Sequence, residues 1–102
     1  MSARYILAPQ AAIDLFEIWR YIKEQTGATT ADRVELVIRD RIVPLAGTPE
    51  AGHHRKDLTD MDVKFFPVYS SLIVYRPTTE PPQIASILHG RRDLTQLLKD
   101  RL

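Results

Sequence analysis

Between Pro9 and Gly27 the apolar residues Ala12, Leu15, Phe16, Trp19 and Ile22 recur three or four apart, with Asp14, Glu17, Arg20, Lys23 and Glu24 at polar positions among them. That spacing predicts an amphipathic helix with one apolar face. Pro9 suits its first turn, where a missing N–H leaves no bond unmade, and Gly27 is placed to end it in a left-handed conformation. A second stripe, Ala31, Val34, Ile38, Ile42 and Leu45, predicts another helix, with Thr29-x-x-Asp32 as a capping pattern at its start. The connection Gly27-Ala28-Thr29 is so short that the two helices form an antiparallel hairpin.

After the breakers Gly47-Thr48-Pro49-Glu50-Ala51-Gly52 and a charged stretch, the period changes. Residues 63–68, 72–76 and 84–89 are rich in β-branched and aromatic side chains and are separated by turn residues, which predicts three strands of an antiparallel meander. Pro67 cannot donate to a ladder, so its strand belongs at an edge or beside a bulge. Residues 4–7 read as a short first strand. Leu94, Leu97 and Leu98 mark a short terminal helix at residues 93–98. The order predicts an α+β fold: a two-layer sandwich with an N-terminal strand, an antiparallel helical hairpin packed on an antiparallel β-meander, and a short C-terminal helix. Residues 1–102 suit one domain, and at this length about 65% of the chain's surface can leave water on folding.

Composition narrows the function classes. Fourteen Lys and Arg against thirteen Asp and Glu give a net charge of +1, too balanced for nucleic-acid binding driven by counterion release. With no cysteine there is neither a disulfide framework nor a thiolate metal site. Apolar runs such as Leu72-Ile73-Val74-Tyr75 fall far short of the roughly 20 residues that cross a bilayer, and Met1-Ser2-Ala3-Arg4 leads into strand-like sequence without an apolar leader. The expectation is a cytoplasmic protein without metal or cofactor and without direct membrane contact.

Several segments, in this order and spacing, resemble the ParE branch of the RelE/ParE superfamily of type II toxin–antitoxin toxins. They are the N-terminal strand with Asp14-Leu15-x-x-Ile18-Trp19-x-x-Ile22, then Gly52-x-x-Arg55-x-Asp57-Leu58, then Leu72-Ile73-Val74-Tyr75-Arg76, and finally His89-Gly90-Arg91-Arg92-Asp93. The resemblance covers nearly the whole chain and implies the same fold. It also implies a toxin neutralised by a ParD-like ribbon-helix-helix antitoxin that supplies any DNA contact, with DNA gyrase as the target. In the RelE branch the scaffold instead cleaves ribosome-bound mRNA, and a partner-binding module without toxicity is a third reading, so the site must separate them.

Metal-free RNA cleavage needs a general base, a cation for the developing phosphate charge and a general acid. His89, Arg91, Arg92 and Arg55 are the candidates, yet the C-terminal Lys99-Asp100-Arg101-Leu102 lacks the aromatic or histidine acid–base group of the nuclease relatives. His89, with Arg92 and Asp93, also reads as a structural tie. His53 and His54 read as solvated loop histidines, since neighbours on an extended segment point apart. Trp19 reads as a core residue or as part of a groove for an antitoxin helix. Trp19, Phe16, Arg39 and Arg76 are the antitoxin-binding candidates. Arg91, Arg92, Lys99 and Arg101 are the target-binding candidates or simply solvated charge. An open meander leaves a strand edge and a thinly covered sheet face, which an antitoxin segment can complete by strand addition and helix docking, burying well over about 1,000 Å².

Overall fold

The computed structural model describes residues 4–89 and 94–102. Strand β1 (Ile6–Leu7) leads into helices α1 (Pro9–Thr26) and α2 (Ala28–Gly47), and a single 3-10 turn at Pro49–Ala51 follows. Strands β2 (Lys64–Val68), β3 (Ser71–Arg76) and β4 (Gln83–His89) come next, then α3 (Leu94–Arg101). The sheet order is β1-β4-β3-β2. The meander β2-β3-β4 is antiparallel as expected, whereas β1 joins β4 in parallel, which makes the sheet mixed.

Alternation along the strands sends side chains to two cores. Val68, Ile73, Tyr75, Ile84 and Ile87 meet Ala11, Leu15, Ile18, Ile38, Ile42 and Leu45 of the hairpin. On the other face Val63, Phe65, Val74 and Leu88 pack with Leu98 of α3, flanked by Leu94, Leu97 and Leu102. The terminal helix therefore adds a partial third layer and covers the face expected to be thinly covered. It is also longer than the 93–98 expected.

Helix α1 is turned relative to the predicted stripe. Its buried positions are Ala11, Asp14, Leu15 and Ile18, while Ala12 and Phe16 are exposed and Trp19 is only half-buried. Two overlapping stripes share Leu15, and the one that meets the sheet carries Ala11 and Ile18. Asp14, read as a polar surface position, is 6% exposed.

Gly27 alone joins the two helices. Its N–H donates to the Lys23 carbonyl and its own carbonyl accepts from Ala31, so both helical ladders run through it. Its φ of 99° is positive, though its ψ of 166° lies outside the left-handed helical well that was expected. The predicted capping pattern is unused: α2 begins at Ala28 with no side-chain cap. A Cβ at Gly27 would meet nothing within 4 Å, so the cost of Gly27→Ala is conformational, about 1–3 kcal/mol. The thermal midpoint should fall by roughly 4–8 °C per kcal/mol. A melt within a degree of the parent would refute this.

Both sheet margins are guarded. Strand β2 is an edge, as Pro67 predicted. Phe65 exchanges two backbone hydrogen bonds with His53 on its outer side, and Pro67, two residues on, has no N–H to offer there. Beyond the short β1, the outward N–H of Ile87 on β4 is taken by the Asp14 carboxylate at 2.9 Å. Asp14 Oδ2 also accepts from Ser86 Oγ at 3.1 Å, and Oδ1 from Gln10 at 2.8 Å. One helical face, positions 14 and 21, thus lies along β4. Among the described residues the outer side of β1 is the margin left for strand addition, much shorter than the open meander suggested.

Candidate functional site

The outer side of the hairpin carries a groove of about 410 Å³ lined by Ala12, Leu15, Phe16 and Trp19 of α1 and by Asp32, Glu35 and Arg39 of α2. Its apolar wall is the stripe that α1 does not give to the sheet. Phe16 is 56% exposed, and its ring stacks near Trp19 with centroids 6.4 Å apart and planes 21° from parallel. The Trp19 indole N–H donates to Asp32 Oδ1 at 2.8 Å, fixing the ring across both helices. Lys23 Nζ stands 5.1 Å from the Trp19 ring centroid. On α2, Arg39 Nε donates to Glu35 at 3.0 Å.

Three of the four antitoxin-binding candidates, Phe16, Trp19 and Arg39, therefore meet in one concavity. Trp19 is not a core residue. Arg76 does not line the groove: it sits half-buried at the end of β3, donating to Gln83 at 3.1 Å. Asp32 and Glu35 were missed as groove residues. Asp32 stands in a capping pattern in the sequence, and Glu35 gives no signal beyond its four-residue spacing from Arg39.

Of the nuclease candidates that the structure describes, His89 and Arg55 lie apart. His89 pairs with Ser71 at one end of the β3–β4 ladder, its Nδ1 lies 2.9 Å from Ser71 Oγ, and its ring meets Tyr21 edge-on at 6.0 Å. These contacts tie β4 to β3 and α1. His53, two residues before Arg55, pairs with Phe65 and so lies three strand spacings across the sheet and three residue steps along it from His89. That separation is about 14 Å by 10 Å. Arg55 is committed to a two-bond fork with Asp57 at 2.9 and 2.7 Å. The fork raises the guanidinium pKa and holds the Asp57 carboxyl below its ordinary value. At an exposed site such a pair adds little stability.

Arg91, Arg92 and the Arg101 side chain lie outside the described residues, and Lys99 is exposed on α3. His53 and His54 are both exposed; His54 Nδ1 donates to the Val63 carbonyl at 3.2 Å. Among the described residues no group of three or more His, Cys, Asp or Glu side chains is arranged to hold a metal ion. No helix among them is long and apolar enough to cross a membrane.

A helical hairpin packed on a small sheet is the architecture implied by the RelE/ParE resemblance, apart from the parallel β1 that makes the sheet mixed. A solved structure described as "Chromosomal ParDE TA system from P. aeruginosa" has the same fold, with a TM-score of 0.74 at 18% sequence identity over 88% of this chain and 98% of that one. No curated protein sequence matches the chain. Residues 5–94 match the family described as "ParE toxin of type II toxin-antitoxin system, parDE". The chain belongs to this ParE toxin family, and membership implies an antitoxin partner.

Proposed function

We propose that this toxin is neutralised by a ParD-like ribbon-helix-helix antitoxin whose amphipathic segment seats in the α1–α2 groove, and that the freed toxin acts in the cytoplasm on DNA gyrase by protein–protein contact. The observation that carries the docking half is the exposed Phe16 beside Trp19 in a concavity. Aromatic pairs in such pockets supply the few residues that dominate binding, and an isolated domain gains nothing from leaving a phenylalanine 56% in water. For the target, support comes from the family resemblance and from the separation of Arg55 and His89. Inhibition by contact asks for a surface, whereas cleavage asks for convergent groups.

Phe16→Ala and Trp19→Ala should each weaken antitoxin binding by more than about ten-fold, leaving toxicity intact when expressed alone. Calorimetry with the antitoxin and growth of the expressing cells read the two halves separately. Unchanged affinity in both variants would remove the groove from the account. Purified gyrase with toxin added should lose supercoiling activity and accumulate cleaved DNA. Untouched supercoiling together with new 5′ ends on cellular mRNA would replace this target with the ribonuclease reading.

A further inference from the structure

We infer that the Asp32 end of the groove receives an arginine side chain from the docking segment, its guanidinium lying against the Trp19 ring and bonding to the Asp32 carboxylate. This rests on the groove being the docking site and adds the chemistry of what enters it.

The residues that line the groove carry more acid than base. Its lining holds two carboxylates, Asp32 and Glu35, and one cation, Arg39. Arg39 is bound to Glu35. Among the described residues no cationic side chain pairs with Asp32, whose hydrogen bond comes from the neutral indole N–H of Trp19. Lys23 stands over the Trp19 ring but makes no ion pair with Asp32, so that carboxylate, beside an aromatic wall, is open to a positive group from the docking segment.

The ring beside it is suited to the same group. An indole whose N–H donates to a carboxylate is made richer in electrons, and the tryptophan face is the strongest of the side-chain hosts for a cation. The chain's own Lys23 ammonium lies within reach of that face, 5.1 Å from the centroid. Lys23 is a strongly hydrated point charge on a flexible stem. A guanidinium is planar, less hydrated and able to stack while its edge donates two bonds to a carboxylate. An entering arginine can satisfy Trp19 and Asp32 at once. Between Phe16 and Leu15, apolar side chains of the same segment would fill the rest of the groove.

A library of displayed amphipathic helical peptides, selected on the full-length protein, tests this directly. Trp19 is the only tryptophan, so its fluorescence reports entry into the groove. Selected peptides should share an arginine one turn from their apolar anchors and should perturb Trp19 emission. Replacing that arginine by citrulline, which keeps the shape and removes the charge, should weaken binding to the parent by at least about ten-fold. On Asp32→Asn, which keeps an oxygen for the indole N–H, the same replacement should cost clearly less, no more than the roughly two- to five-fold that the Trp19 face alone supplies. Circular dichroism of the variant confirms its helices. Peptides that perturb Trp19 and lose binding with Phe16→Ala, yet show no cationic preference, would overturn the arginine while leaving the groove in place. So would an equal citrulline penalty on Asp32→Asn. If no selected peptide perturbs Trp19, the docking groove itself fails.

Discussion

Asp14→Ala is expected to remove about 2–5 kcal/mol of folding stability, a large share of the roughly 5–15 kcal/mol that a domain has to spare. The Ile87 N–H and the Ser86 hydroxyl are both buried and both donate to one carboxylate oxygen. Alanine provides no acceptor for them, and each buried hydrogen bond lost in this way costs about 1–3 kcal/mol. Asp14→Asn should recover only part of the loss, because one of its two positions becomes a donor facing donors. Gln10→Ala, which removes a part-buried bond to the other oxygen, should cost less than Asp14→Ala. Urea unfolding with an unchanged m-value measures the loss. Amide exchange at Ile87 should accelerate in step. A loss below about 1 kcal/mol would mean that the α1–β4 seam is not held by this carboxylate.

Tyr75→Phe should cost about 2–3 kcal/mol and also change the response to alkali. The Tyr75 ring is fully buried. Its hydroxyl donates to the Pro49 carbonyl at 2.7 Å and accepts from the Gly52 N–H at 2.8 Å, fastening the turn after α2 to the middle of the sheet. Phenylalanine keeps the packing and strands both backbone groups. Gly52 is required here because an added Cβ would lie 2.5 Å from the Tyr75 oxygen and 3.0 Å from the Phe65 carbonyl.

Burial raises the Tyr75 pKa, partly offset by the Gly52 N–H and reinforced by Glu50. Below the ordinary tyrosine value of 10.0 the phenol is protonated whether the chain is folded or not, so its contribution is fully present. As pH rises past 10 the unfolded chain ionises first, and the contribution is lost as pH climbs through the higher folded value. The parent should therefore lose stability steeply in that window, and Tyr75→Phe should lose less of its own. Parallel slopes for the two proteins above pH 10 would contradict the assignment.

Much of the architecture was legible in the sequence because it follows from period. The 3.6-residue stripes set two helices, Gly27 set their junction, and the β-branched runs set the meander with Pro67 at its margin. The rotation of α1 was not legible: Ala12-Phe16-Trp19 and Ala11-Leu15-Ile18 are both apolar at helical spacing, and only the sheet decides between them. Asp14 was misjudged for a related reason, since a charged residue beside an apolar stripe ordinarily faces water. Its clue was distant, a lone Ser86 inside the apolar run Ile84-Ala85-Ser86-Ile87-Leu88, which needs a polar neighbour. Phe16, Trp19 and Arg39 were nameable as contact residues because large aromatics and arginine dominate interfaces. Asp32 and Glu35 were not, because their role depends on how α2 lies against α1.

The guarded margins of the sheet bear on the toxin's life without its partner. A chain that exposes aromatic surface on one side is in danger of stacking its sheets with those of its copies, strand upon strand. Here a proline, a bridging histidine segment and a helical carboxylate leave, among the described residues, the two-residue β1 as the margin for such growth. Self-association, where it occurs, should go through the helical face and stop at small closed assemblies, so the unpartnered toxin should stay dispersed rather than lengthen into fibres.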